Sequence, residues 1–380
     1  MSGIYLNNAA TSYPKPDCVK ELALKNINAL PSGQFRSAGV SDNGDIFLEC
    51  RRKLALILGV EESERIFFTS GATESLNTLL SGIGVNASEI ITTVTEHNSV
   101  LRPLYNLPGI KGEPMLLPCD KEGVVSPGHF EDLAKTGRGK VLILNHCSNV
   151  NGTVQDAEAF GKIAKKYGLI YIIDASQSAG CMRIDADAWS ADAIAFTGHK
   201  SLLGLQGSGG YYIRSGIPFV PMKYGGTGRD SEKLRYDGGD YEYETGTQNS
   251  LAIAALSEAA RFILERGIEN IEKRESEIRQ YAKKRLSEIK GIFVFPSPEE
   301  KSGPVLSFSS EILPPSDISY ILQNSYGIVT RSGLMCAPLM HEYIGSGKKG
   351  TVRISFSIFQ KEEDIDSLCE ALKEIHGDNG

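Results

Sequence analysis

The stretch LIYIIDASQSAGCMRIDADAWSADAIAFTGHK, residues 169–200, contains the two runs that decide the fold. LIYII and AIAF are apolar without polar alternation, the pattern of strands buried on both faces. Each run ends in residues able to do chemistry. The first ends in Asp174, with Gln177 in the next turn; the second ends in Thr197, Gly198, His199 and Lys200. Outward from there, RIFFT (65–69), EIITTV (89–94) and KVLILN (140–145) repeat the pattern, separated by helical stretches such as DAEAFGKIAKKYG (156–168). Short buried strands joined by crossover helices predict an α/β fold with a mostly parallel central sheet between about residues 65 and 215. Ligands of such sheets bind at the carboxyl ends of the strands.

After ETGTQNS (244–250) a helical pattern from about 248 to 288 predicts one long connecting helix. Beyond 291, the strand candidates GIFVFP, PVLSFS and TVRISF mix with the helical DISYILQNSYG and KEEDIDSLCEALKEI, which suits a smaller α+β unit. The expected division is an N-terminal segment (1–15) packing with the small unit, a large ligand-binding domain (16–255), and a small C-terminal domain (256–380). The 380 residues are 41% hydrophobic, enough for a sizeable globular core. A net charge of -7 without any long run of like charge argues against nucleic acid and anionic membranes as partners. No apolar stretch approaches the roughly 18 residues of a membrane span, and MSGIYLNNAA lacks a basic-then-apolar leader, so a cytoplasmic location is expected. Seven scattered cysteines (18, 50, 119, 147, 181, 336 and 369), with no C-x-x-C pair, disfavour a disulfide framework or a metal site.

A carboxylate and a lysine at neighbouring strand ends are what an aldehyde cofactor with a pyridine ring needs: an amine to bond the aldehyde and an acid for the ring nitrogen. Taken singly, Asp174 reads as a turn or helix cap, and Lys200 as a solvated side chain. FFTSGATESLN (67–77) is a strand, a glycine turn and a helix opening, where the N–H groups of Gly71, Ala72 and Thr73 can converge on an anion; an ordinary cap at Ser70 or Thr73 is the plainer alternative. His97 follows another strand and can stack on a flat ring. Asn149, in NHCSNVNGT, can reach a cofactor oxygen or a substrate carboxylate.

In this order the motifs resemble the class V aminotransferase family of pyridoxal-phosphate enzymes, most closely its cysteine desulfurase and selenocysteine lyase branch. The likeness covers nearly the whole chain: YLNNAATSYPKP, TSGATESLN, TEHNSV, SNVNGT, IDASQSAG, TGHK, ETGTQN, RSGLMCAPLM and VRISF. It implies the type I fold of pyridoxal-phosphate-dependent transferases, with pyridoxal 5'-phosphate as cofactor. Lys200 would bond the cofactor and then remove the substrate Cα proton, and Asp174 would keep the ring nitrogen protonated. Gln177 would bond the phenolic oxygen, with Asn149 nearby, and His97 would stack on the ring and assist proton transfer. Ala72, Thr73, Thr197 and His199 would hold the phosphate, joined by Thr247 from a second subunit, hence a homodimer with shared active sites. Arg353 would clamp the substrate carboxylate, with Asn149 and Arg331 beside it. The substrate would be L-cysteine or L-selenocysteine. On a mobile loop, Cys336 would take the sulfur as a persulfide, leaving alanine, and pass it to a sulfur-acceptor protein in sulfur metabolism such as iron–sulfur cluster assembly.

RSGLMCAPLM (331–340) matches the family loop at Arg331, Gly333, Cys336, Ala337 and Pro338, with the short spacing of the group II branch. It departs where group II relatives commonly carry two histidines and this chain has Leu334 and Met335, which removes imidazoles beside the thiol. Arg229 and Asp230 in KYGGTGRDSE, and Arg36 in SGQFRSAG, are further departures. Selenocysteine lyase, or a class V aminotransferase or other lyase, stays open as an alternative.

Overall fold

The computed structural model describes residues 3–28, 45–228, 231–235, 238–239 and 243–377; Arg36, Arg229 and Asp230 lie outside them. Strand β1 (Ile4–Tyr5) finds its partner far along the chain. The seven that follow are β2 (Ile66–Thr69), β3 (Ile90–Thr93), β4 (Met115–Leu117), β5 (Val141–Asn145), β6 (Ile170–Asp174), β7 (Ala193–Thr197) and β8 (Gly209–Ile213). They form one sheet in the order β2-β8-β7-β6-β5-β3-β4. The strands from β7 to β4 run parallel; β8 is antiparallel to both its neighbours. Two reversals cancel, so β2 points the same way as β7 and its carboxyl end reaches the same edge.

Continuous apolar strands are the consequence of helices on both faces. Tyr171 and Ile173 face the larger core with Phe160, Leu256 and Ala260, whereas Ile172 faces Leu76, Leu80 and Val100 on the other side. This is the period-two alternation of a pleated strand with both faces apolar. At the open end of β8, Gly209 is required by close approach: a Cβ there would stand 2.5 Å from the Cα of Gly71.

The second sheet uses β9 (Ile292–Val294) and β10 (Val305–Ser310); β11 (Ile328–Val329) pairs in parallel with β1; β12 (Arg331–Gly333) and β13 (Thr351–Ser355) complete the four-stranded order β12-β13-β10-β9. Its core gathers Leu306, Phe308, Val352 and Ile354 against Ile278, Leu322 and Leu368 from three helices, and Leu6 from the N-terminal segment is buried there too. The pattern over 248–288 predicts one helix; the structure has two, Ser250–Arg266 and Ile268–Ser287. The break is Gly267, whose φ of 80° suits glycine and whose N–H closes on the carbonyl of Ile263. Among the described residues, no helix is long and apolar enough to cross a membrane. All seven cysteines are free thiols.

Candidate active site

Register fixes the site. Asn145 pairs with Asp174 across β5 and β6, so these two finish level, and Asp174 pairs with Ala195 across β6 and β7, so β7 runs two residues further, to Thr197. Their ends, with the turns after β2 and β3, open into a cavity of about 320 Å³. Ala72, Thr73, His97, Asn149, Asp174, Gln177, Thr197, His199 and Lys200 line it from the large sheet; Arg331, Met335 and Arg353 line it from the small one.

Asp174 is buried, and its Oδ1 accepts from the N–H and hydroxyl of Ser176. Burial lowers the Lys200 proton affinity to about 8 against the opposing pull of Asp174, with Arg353 and Arg331 lowering it further. The amine is therefore partly neutral and nucleophilic near neutral pH. His97 is pushed down to about 4, chiefly by burial and then by the Lys200 charge, so its imidazole is neutral. Its Nδ1 accepts from the Ser99 N–H at 3.0 Å, capping helix Asn98–Asn106, so the ring proton sits on Nε2.

Arg353 on β13 and Arg331 on β12 are directly opposed across the two strands. Burial lowers the Arg353 proton affinity, and Arg331 adds to this. Arg353 donates from Nη1 to the Asn149 carbonyl and from Nη2 to Asn7 Oδ1, both at 2.9 Å.

The turn after β12 carries Cys336. Arg331 Nη2 lies 3.5 Å from its Sγ. Met335 and Cys336 both have left-handed backbones, with φ of 50° and 59°. For non-glycine residues this costs about 1–2 kcal/mol each, so the surroundings must impose it. Three contacts do so: Asn149 Nδ2 donates to the Met335 carbonyl at 2.6 Å, the Asn98 N–H donates to the Cys336 carbonyl at 2.6 Å, and the Met335 side chain packs with Val150, Phe295, Met340 and Ile344.

The sequence model for "Aminotransferase class-V" matches residues 4–368. The chain belongs to the class V aminotransferase family. It is 31% identical to a "Probable cysteine desulfurase" of Halalkalibacterium halodurans over 97% of this chain and 92% of the relative. It is 32% identical to another so named from Methanothermobacter thermautotrophicus, over 87% and 83%. The solved apo structure of a cysteine desulfurase from Thermococcus onnurineus superposes with a TM-score of 0.89 at 29% identity, covering 98% of this chain and 94% of that one.

The fold is thus the type I fold of this class V family, whose cofactor is pyridoxal 5'-phosphate, and the cavity suits that group. His199 Nδ1, Asn149 Oδ1 and Arg353 Nε are buried in its walls with no hydrogen-bond partner in the protein, a donor and acceptor set that fits a phosphorylated, carboxylate-bearing adduct. The helix Ala72–Ile83 begins at the cavity wall, so the positive end of its dipole serves an anion. Of the expected residues, Cys336 sits on the turn beside the cavity without lining it, and Thr247 lies apart from it. It lines an adjoining cavity of about 290 Å³ that shares Ser70 and Glu74 with the first. Gln177 Nε2 donates to the Ala9 carbonyl at 3.0 Å, which brings Ala9 and Ala10 to the cavity. Sequence reasoning gave these two residues no role, although the motif YLNNAATS that holds them was singled out. It likewise passed over Glu96, whose wholly buried carboxyl accepts from Thr93 Oγ1 and the Asn145 N–H and is raised to about 8 by burial.

Proposed function

We infer that the protein is a pyridoxal-phosphate-dependent cysteine desulfurase, converting L-cysteine to L-alanine and keeping the sulfur on Cys336 as a persulfide. The observation that carries this reading is the Cys336 thiol beside Arg331, at a cavity walled by Lys200, Asp174, His97 and Arg353. When bound, pyridoxal phosphate supplies an aldehyde that captures the amino group and a ring that draws electron density from Cα.

The chain's residues do the rest. Lys200, with its proton affinity near 8, both bonds an aldehyde and accepts a proton at neutral pH. Asp174 provides the negative charge for a protonated ring nitrogen, and neutral His97 offers a flat face and an Nε2 proton. Arg353 directs its unpartnered Nε at the substrate carboxylate, supported by Asn149. Arg331 holds its guanidinium 3.5 Å from the Cys336 Sγ, where it orients the sulfur at a turn that carries Leu334 and Met335. The thiolate attacks the substrate sulfur, an S–S bond forms as the Cβ–S bond breaks, and the electron pair left with Cβ is protonated to give the methyl group of alanine.

The adjoining cavity holding Thr247 supports a homodimer in which that residue serves the partner's phosphate site. We also propose a cytoplasmic enzyme that hands its sulfur to an acceptor protein, and a division into an N-terminal segment and two cores. The division proposed is 1–15, 16–255 and 256–380, and Leu256, Ala259, Ile263 and Ile271 pack in the large core. Mass spectrometry after incubation with cysteine tests the main reading: one added sulfur on the Cys336 peptide is expected. Alanine release from cysteine by Cys336→Ala at the wild-type rate refutes it.

A further inference from the structure

Met335 faces two ways: it lines the cofactor cavity, yet it is only 3% exposed and belongs to an apolar cluster with Val150, Phe295, Met340 and Ile344. Its carbonyl is latched by Asn149, whose other amide atom, Oδ1, is buried without a partner in the same cavity wall. Its backbone is left-handed, as is that of Cys336 next to it. Glycine is the residue such a conformation favours, so a methionine there is kept by what its side chain contributes.

We propose that Met335 is a positioning residue for Cys336, an apolar anchor that seats the thiol-bearing turn over the cavity and whose withdrawal releases it towards the sulfur acceptor. The flexible, polarizable thioether suits a side chain that must pack well and still leave its site. Release breaks one hydrogen bond to Asn149 and one to the Asn98 N–H and unburies the Met335 side chain, while relaxing two left-handed residues offsets part of that cost, so the released turn is a minor state. Asn149 couples the seating to the site, because its Oδ1 is left without a partner in a residue that lines the cavity while its Nδ2 holds the turn.

The desulfurase reading gives this anchor its purpose, but the anchor is tested without turnover. In the holoenzyme, the half-buried Cys336 has a basal rate of alkylation by iodoacetamide, followed by peptide mass spectrometry, and the increase over it in a variant reports the added departure of the turn. Met335→Gly removes the anchor while easing the left-handed backbone; Met335→Leu keeps volume and apolarity. We expect alkylation on the order of thirtyfold faster in Met335→Gly, the scale for losing a buried methionine side chain, and near wild type in Met335→Leu. With cysteine added, Met335→Gly should show the wild-type change in the cofactor absorption band at the same cysteine concentration, with slower alanine release; a merely misfolded variant would lose the band. Alkylation of Met335→Gly at the wild-type rate overturns the anchor. Absence of persulfide on wild-type Cys336 refutes the desulfurase reading and leaves the alkylation result to stand separately.

Discussion

Lys200 offers the sharpest test of the site's electrostatics. Burial brings its proton affinity from the 10.5 of an ordinary lysine to about 8. At pH 7 the neutral amine fraction is then about one in ten, against roughly one in three thousand for an unshifted lysine, a gain of about three hundredfold in nucleophile. The sign follows from the charged form being the protonated one: below pH 8 reactivity rises tenfold per pH unit, and above 8 it levels off. Cofactor-stripped protein acetylated competitively between pH 6 and 11, with Lys200 and the exposed Lys284 peptides quantified by mass spectrometry, gives the titration directly. Asp174→Asn removes the main charge favouring the ammonium, so its midpoint should fall below the wild-type value; Arg353→Gln removes an opposing cation, so its midpoint should rise. A wild-type midpoint near 10.5, or an upward shift in Asp174→Asn, would refute the account of the cavity as a dry pocket governed by these charges.

Glu96 and Glu275 are both buried and raised to about 8 from 4.5. Their contribution is complete below pH 4.5 and declines as pH rises through 8, by about 1.4 kcal/mol per unit for each group, so Glu96→Gln and Glu275→Gln should flatten the pH dependence of the urea midpoint; curves parallel to wild type would count against it. Arg353→Lys keeps the charge but not the fork, and kcat/KM for cysteine should fall about 30- to 100-fold, with cofactor colour retained, in steady-state assays. Gly350 has a φ of 69°, and a Cβ there would meet the carbonyl oxygen of Gly333 at 2.2 Å; Gly350→Ala should cost about 2–4 kcal/mol in thermal unfolding and loosen the Cys336 turn, seen as faster alkylation.

The buried strands were legible because a strand buried on both faces needs an unbroken apolar run, and RIFFT, KVLILN and AIAFT have one. Strand β8 was not, since GGYYI follows a glycine-rich stretch that reads as a loop; the close pass by Gly71 explains Gly209, and the Phe67 carbonyl and the Phe196 ring explain Gly210. The helical pattern over 248–288 hid its break because apolar spacing resumes after Gly267, and one glycine inside a periodic pattern is a weak stop signal. Asp174, Lys200 and His97 were readable as strand-end chemistry and Arg353 only through the family resemblance, and the cavity brings all four together. Met335 was read as the loss of a histidine; its burial depends on Phe295 and Val150, which are distant in sequence, so no local pattern exposes it as an anchor.

The two arginines opposed on β12 and β13 bear on more than chemistry. Like charges facing each other across a sheet weaken it, and here one of them is also buried. An anion that binds between them removes that strain from the folded state alone, so its concentration enters the unfolding equilibrium by mass action. In a cell, where proteases clear the unfolded fraction, the amount of enzyme that persists then follows the supply of its own ligands.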